Sequence, residues 1–443
     1  MPRMSRALKF SLVMAMIVFA IPALAMNASA ADGTGIDSGD TAWIITAAAL
    51  VFMMTPAVGF FYGGMLRKEN MLSILGQTII ITGLVTLIWF LFGYSLAFGA
   101  DAGGYGLIGS TDYFMLANVG QEAAPLAGTI PHLLFMFYQM TFAIITVSLI
   151  IGGIAERMKL KAIIAFLAIW TCLVYVPVAH WVWGGGWIFE LGALDFAGGT
   201  VVHITAGVSV LAAVLVLGKR ISVQNGDGDH PHNIPFVVLG TALLFVGWFG
   251  FNGGSALSSG GLAVQAIANT EIAGAMGAIS WGLVSWWKLG RPGVLGLASG
   301  MVAGLVAITP AAGFVDTTGA LIIGLAAGVI CYGGIQLRKK YGYDDALDVF
   351  GVHGVGGTLG ALATGLFATT TVNAAGADGL FYGGGLDLLM RQTIAVAAVW
   401  AFAFGVTFAV LHIMKRVTPL RMTKEEERVG ADIVQHGENA YDM

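Results

Sequence analysis

Charge is the scarcest property of this 443-residue sequence: 21 Lys and Arg with 25 Asp and Glu make up only 10% of it, against 57% hydrophobic residues. A soluble domain carries about 25% charged residues, so a water-facing globule is excluded and most of the surface must meet lipid. Cysteine is nearly absent. Cys172 and Cys331 both lie inside apolar stretches, which argues against a disulfide framework or a cysteine zinc site. Also missing are a phosphate-binding glycine loop, a nucleophile elbow and a metalloprotease motif. The chain is therefore expected not to be an enzyme and to need no cofactor or metal. No basic, aromatic-interleaved patch offers a surface to nucleic acid. The formal net charge of −4 says little about partners; the placement of the charges says more.

Long apolar runs are what the sequence has instead. About twenty apolar residues cross a bilayer as a helix, and eleven candidate spans can be bounded: 42–66, 71–98, 131–155, 162–183, 198–218, 234–252, 262–286, 293–311, 318–336, 346–368 and 392–414. Many of the 64 glycines sit mid-span, as in "GLASGMVAGL". Small residues let helix backbones approach closely in lipid, so a tightly packed bundle is expected.

The first thirty residues read differently. Arg3, Arg6 and Lys9 precede an apolar run from Phe10 to Leu24, and small residues follow in "ALA" and "ASA". That is the pattern of a cleavable secretory signal over residues 1–30, cut after Ala30 or Ala25. A membrane domain over 31–416 and a polar tail over 417–443 complete the expected organisation.

Basic residues give the orientation. Positive charge collects in cytoplasmic loops, and here 17 of the 21 basic residues fall in alternate loops or the tail. Examples are Arg67 and Lys68, Arg157 to Lys161, Lys219 and Arg220, Arg338 to Lys340, and Lys415 onward. Three more lie in the signal, and only Arg391 falls on the other side. The expected fold is an all-α polytopic membrane protein with eleven transmembrane helices, its N-terminus out and its C-terminus in.

A repeat is hidden in the spans. Asp195 and His203 are eight residues apart, as are Asp345 and His353, and both histidines stand in "VHxxxG". The copies lie five spans apart and so cross the membrane in opposite senses. This predicts two inverted five-helix repeats plus a closing eleventh helix, with a site near the midplane. If helical throughout, the 16 residues from His203 to Lys219 span roughly 24 Å and the 13 from Lys340 to His353 roughly 20 Å, which puts both imidazoles at similar depth. Ionisable groups in a membrane interior are costly and generally functional.

"DFAGGTVVHITAG", "DVFGVHGVGGTLGAL", "FYGGMLRKEN", "GGIAERMKL", "WFGFNGGSA" and the terminal "HGENAYDM" closely resemble the ammonium transporter (Amt) family, distantly related to the Rh proteins. The similarity covers nearly all of the chain after residue 30. It implies ammonium uptake across a bacterial cytoplasmic membrane, with methylammonium as analogue, by a homotrimer with one pore per subunit. It assigns an outer cation site to Phe142, Trp183 and Ser255, a two-ring gate to Phe142 and Phe251, and a twin-histidine pore to His203 and His353. The tail resembles those regulated by a PII-type nitrogen regulatory protein at the cytoplasmic face. An ammonium sensor signalling to a cytoplasmic partner is the alternative.

The chemistry of the assigned residues agrees. Aromatic faces attract a small cation, and one hydroxyl acceptor rewards a cation bearing N–H groups over a bare ion. An apolar passage forbids an ion but admits neutral ammonia, and neutral imidazole offers it both a donor and an acceptor. Asp195, at the start of its span, is read as a helix cap with longer-range electrostatic support for a cation. His230 and His232 in "DGDHPHN" are read as a solvated loop rather than a metal site. The loop charges carry a direct expectation: a reporter active only outside the cytoplasm works when fused after Phe98 and is silent after Lys219. The reverse pattern would undo both the span count and the inverted repeat.

Overall fold

The structure, a computed structural model, describes residues 35–226 and 231–441. The expected signal peptide over 1–30 and His230 lie outside the described residues. Eleven apolar helices follow one another: α1 Ser38–Met65, α2 Lys68–Phe98, α3 His132–Ile154, α4 Leu160–Leu191 (interrupted at 184–186), α5 Gly199–Leu217, α6 Ile234–Gly253, α7 Gly261–Leu289, α8 Val294–Ile308, α9 Thr317–Tyr341, α10 Phe350–Phe367 and α11 Asp387–Val417. A short polar helix, α12 Lys424–Val429, lies in the tail. Among the described residues there are no β-strands, only two isolated bridges. An apolar bundle can satisfy its backbone in lipid only in this way, with each N–H bonded inside its own helix.

Ten of these helices are long and apolar enough to cross a membrane. The expected span over 293–311 is the exception, because α8 has 15 residues. Its continuation is irregular but enclosed in protein: Phe196 N donates to Pro310 O (3.1 Å), Asn269 Nδ2 donates to Ala312 O (2.8 Å), and Ala311 and Ala312 are fully buried. Non-helical backbone at depth is tolerated where protein rather than lipid surrounds it.

The span expected over 346–368 also needs correcting. Helix α9 ends at Tyr341 and α10 begins only at Phe350, so Lys340 to His353 is not one rod and the 20 Å estimate does not apply. Residues 342–349 instead fold inward, burying Asp344 and Asp345. In the first copy α5 runs unbroken from Gly199 to Leu217, two residues short of the Lys219 end taken for the depth estimate, because Gly218 leaves the helix at φ +77°.

Helix α5 is the most enclosed of the long spans, and it meets α10 at the bundle centre. The "VHxxxG" glycines make the meeting possible. A Cβ on Gly207 would overlap the backbone of Gly354, and one on Gly357 would lie 2.8 Å from Gly199 O and 2.9 Å from His203 Cβ. Each copy's motif glycine thus packs against the other copy's histidine turn. Those turns are wider than α-helix: residues 199–204 and 350–354 are π turns, as are 249–253 around Phe251. Such turns recur where side chains must be redirected at functional sites.

On the face that carries the tail, several basic residues counted above as loop charges prove to be buried. Arg157 is completely buried and Arg220 nearly so. Arg220 grips Asp344 with Nε to Oδ2 (2.9 Å) and Nη2 to Oδ1 (2.8 Å), and donates Nη1 to Glu156 Oε2 (2.7 Å). Arg157 donates Nη2 to Asp344 O (2.6 Å). The tail joins this network. Thr423 and Glu426 form a capping box for α12, Glu427 pairs with Arg421, and Ile221 N donates to Glu427 Oε2 (3.1 Å). Asp432 accepts from Ser73 N (2.7 Å) and Leu72 N (3.0 Å), capping the start of α2 from far along the chain. His232, read from sequence as solvated, donates Nδ1 to Leu66 O (3.0 Å), and its Nε2 meets the Tyr441 hydroxyl (2.8 Å).

Burial pushes the Asp344 carboxyl up, but the hydrogen bonds and charge of Arg220, joined by Arg157, outweigh it and hold it at about 2. The folded value lies below the ordinary carboxylate range, so the associated stability is complete above about pH 4 and lost as pH falls towards 2. Asp344→Asn would leave the fully buried Arg157 without a carboxylate partner and Arg220 with Glu156 alone, and should cost about 3–5 kcal/mol. Thermal unfolding in detergent should show the loss near neutral pH, with the gap to wild type shrinking as pH falls through that window.

Candidate functional site

Three cavities lie in series through the bundle. On the face opposite the tail, a cavity of about 130 Å³ is lined by Phe142, Trp183, Ser255, Gln139, Phe98 and Phe196 among others. The three residues expected to form an outer cation site therefore share one wall. Trp183 stands edge-on to Phe142 with ring centroids 5.8 Å apart, its indole held by Nε1 donating to Asp195 O (2.9 Å). Ser255 Oγ donates to Phe251 O (2.8 Å) and lies 3.4 Å from the Tyr138 hydroxyl, which leaves a lone pair on Oγ for a donor from the cavity.

Below it the Phe142 and Phe251 rings lie nearly face to face, centroids 4.2 Å apart at 32°. Both are buried. Tyr138, which the sequence reading did not single out, fixes this pair: its ring packs edge-on to Phe142 at 5.0 Å, and its hydroxyl is within reach of Gly250 O (2.9 Å) and Phe251 O (3.0 Å). One side chain thereby sets the spacing of a residue on α3 and a residue on α6.

Past the rings is a narrow passage of about 10 Å³, walled by Val58, Ile145, Leu149, Val202, Leu244, Val302 and the two histidines. That is about the space of one water. His203 Nδ1 and His353 Nδ1 are 3.1 Å apart, so the repeat does bring the paired residues together. His203 is stacked under Trp248 (5.6 Å, 24°) and lies parallel to Phe251 (6.1 Å, 24°). Trp248, also missed from the sequence, is anchored by Nε1 donating to Thr309 Oγ1 (2.9 Å). His203 Nε2 is buried with no protein partner.

The tautomers follow from this geometry. In a hydrogen bond between two neutral rings, one Nδ1 donates and the other accepts. The donating ring must then carry a bare Nε2 and the accepting ring an Nε2–H. Whichever way the shared proton lies, the pair offers one acceptor and one donor. Beyond His353 the passage opens into a tail-side chamber of about 290 Å³.

Asp195 is fully engaged. Its Oδ1 accepts from Gly198 N (2.9 Å) and Gly199 N (2.6 Å), and its Oδ2 from Thr200 N (2.8 Å) and Val201 N (3.2 Å). These are orphan donors at the start of α5. The carboxylate points into the helix end, and it positions the His203 turn. Asp345 has the matching place in the second copy, accepting from Phe350 N (2.7 Å).

Residues 42–441 match the Ammonium Transporter Family. The chain belongs to that family. Among its relatives, the ammonium transporter of Bacillus subtilis (strain 168) is 51% identical over 404 residues, covering 91% of this chain and 98% of that protein. The crystal structure of Saccharomyces cerevisiae Mep2 superposes with a TM-score of 0.84 at 37% identity, covering 90% of this chain and 93% of that one. A solved sensor Amt protein superposes at 0.81 with 31% identity, over 90% and 98% of the two chains. The protein is thus a multi-pass membrane member of a transporter family.

The histidine contact depends on the α5–α10 approach, and the motif glycines test it. Gly207→Ala forces a methyl into Gly354 backbone, an overpacking that typically costs about 1–3 kcal/mol. The variant should assemble in the membrane with a lowered melting temperature, and its two imidazoles should no longer share a proton. Nitrogen-15 NMR couplings between labelled histidines would report that directly; a coupling equal to wild type would refute it.

Proposed function

We propose that the protein carries ammonium into the cell by binding NH4+ at Phe142, Trp183 and Ser255, releasing a proton to water in that outer cavity, and passing neutral ammonia between Phe142 and Phe251 and along His203 and His353. The observation that carries this reading is the pair of mutually hydrogen-bonded imidazoles in an apolar passage with room for about one small molecule. Such a passage makes an ion's desolvation prohibitive, while the donor and acceptor of the pair match ammonia, which has both. The aromatic cavity above supplies what the passage lacks: ring faces and a hydroxyl acceptor for the charged form. Asp195 serves as cap and electrostatic support rather than as a ligand, since four N–H groups occupy it.

The topology belongs to the same proposal. Eleven spans form two inverted five-helix halves and a closing helix, with α8 and its enclosed continuation as the eighth. The N-terminus is outside, a signal over 1–30 is removed, and the tail lies in the cytoplasm of a bacterial cell. The working unit is a homotrimer, and the face bearing α12 is where a PII-type regulator docks. Three linked contacts gain effective concentration, so each can be weak.

Sensing is the second reading, favoured by the close superposition on a solved sensor Amt protein. Uptake of labelled methylammonium by transport-deficient cells separates the two, because a sensor that does not conduct leaves the cells unlabelled. In the same assay His203→Ala and His353→Ala should stay in the membrane yet alter rate or selectivity against potassium. Trp183→Leu should shift the concentration dependence by roughly 2- to 30-fold, the equivalent of about 0.5–2 kcal/mol of cation–π contact. Wild-type behaviour in all three variants would remove the pore assignment.

A further inference from the structure

Helix α11 packs along both α5 and α10, although in the topology proposed above it belongs to neither repeat. Three of its side chains with hydrogen-bonding groups, Gln392, Trp400 and Thr407, are eight and seven residues apart. That spacing puts them on one face, along roughly 22 Å of helix. Thr407 Oγ1 donates to Ser209 Oγ on α5 (2.9 Å) and fastens the two helices together. The other two reach the segments that carry the histidine turns.

Gln392 is buried, and its amide is fully used. Leu194 N donates to Gln392 Oε1 (2.6 Å), while Gln392 Nε2 donates to Leu194 O (2.8 Å) and to Ala361 O on α10 (2.8 Å). Leu194 stands in the irregular stretch that joins α4 to α5, where buried backbone groups have no helix to satisfy them. Asp195 is the next residue. Its carbonyl anchors the Trp183 indole (2.9 Å), and its carboxylate caps the turn that holds His203. The outer ring and the first histidine therefore hang from a segment fixed by one amide of α11, and the same amide holds the helix that carries His353.

Trp400 does the corresponding work on the second copy. Its Nε1 donates to Thr358 Oγ1 (2.8 Å), and that hydroxyl donates to Gly354 O (2.7 Å), the residue after His353. Its ring meets Phe350 edge-on with centroids 5.7 Å apart. Phe350 and Gly354 are the first and last residues of the second π turn, so Trp400 holds that turn at both ends.

We propose that Gln392 and Trp400 are positioning residues for transport: Gln392 sets Trp183 and the His203 turn, Trp400 sets the His353 turn, and one helix keeps the two in register. The proposal rests on the transport reading above and adds what aligns its site. Neither side chain lines the three cavities, so both act through the residues they hold. A brace that served only folding would lower the amount of active protein and scale flux down without changing its concentration dependence. Positioning gives each residue its own signature, because Gln392 holds the anchor of the outer ring and Trp400 does not.

Three variants of the full chain in proteoliposomes test this. Gln392→Met keeps the reach of the side chain without its hydrogen bonds, Trp400→Leu removes ring and N–H together, and Trp400→Phe keeps the ring against Phe350. Labelled methylammonium flux per molecule of protein is measured against concentration, and nitrogen-15 couplings between His203 and His353 are recorded on the same protein. Gln392→Met should raise the half-saturation concentration several-fold. Trp400→Leu should leave that concentration as in wild type, lower the maximal flux several-fold and weaken the coupling, and Trp400→Phe should recover part of both losses. An unchanged half-saturation concentration in Gln392→Met, or a wild-type coupling in Trp400→Leu, would overturn the proposal. If Gln392→Met does not fold, the Trp400 pair decides it. Wild-type vesicles that carry no flux would overturn the transport reading, while the coupling would still judge whether α11 aligns the histidines.

Discussion

Everything at the centre of this protein depends on how closely α5 and α10 can approach. The helices meet backbone to backbone because Gly207 faces Gly354 and Gly357 faces Gly199 and His203. With side chains there, the His203 and His353 rings could not come within hydrogen-bonding distance. Close backbone approach through small residues is the ordinary means of holding helices together in lipid, where no hydrophobic force drives them. Here the same contact sets functional geometry. Asp195 and Asp345 then tie down the free N–H groups at the two helix starts, so the histidine turns are held from both ends.

Along the axis the environment alternates in polarity. An aromatic cavity with a hydroxyl is followed by two rings, a narrow apolar passage with two imidazoles, and a roomier chamber with polar side chains. Ring faces and acceptors stabilise an ion, and hydrocarbon excludes one. The two ends are not equivalent, although both motif copies carry an aspartate and a histidine eight residues apart. Gly198 leaves room for Trp183 at one end, and Asp348 pairs with Arg338 at the other.

The tail-side charges form a second frame. Arg157, Arg220, Glu156 and Asp344 join the ends of α3 and α5 to the loop before α10, and Glu427 extends the network to the tail. A buried ion network adds little net stability but makes the loss of any one partner expensive. It therefore enforces one arrangement of these loops, directly beneath the chamber that His353 opens into. Coupling between the tail and the pore has a physical route here, since Asp344 is adjacent to the Asp345 that caps α10.

Much of this was legible in the residues. Scarce charge and apolar runs of about twenty residues determined a helical membrane bundle, because only helices and closed barrels satisfy the backbone in lipid and runs of that length suit helices. The twin "VHxxxG" motifs determined that two histidines belong together, and the motif resemblance named the aromatic residues around them. Span lengths were less secure: α8 stops at Ile308, and α10 starts at Phe350, later than its apolar run suggests, since hydropathy does not tell lipid from protein as the apolar surroundings. Only the tertiary structure decided the rest. Tyr138 and Trp248 are ordinary aromatics in sequence, and their importance lies in which rings they touch. Arg157 and Arg220 read as loop charges until their partners, Asp344 and Glu156, were brought beside them from distant segments. The positive φ shared by Gly198 and Asp348 likewise became visible only in the structure, because a sequence records which residue occupies a turn but not whether that residue is comfortable there.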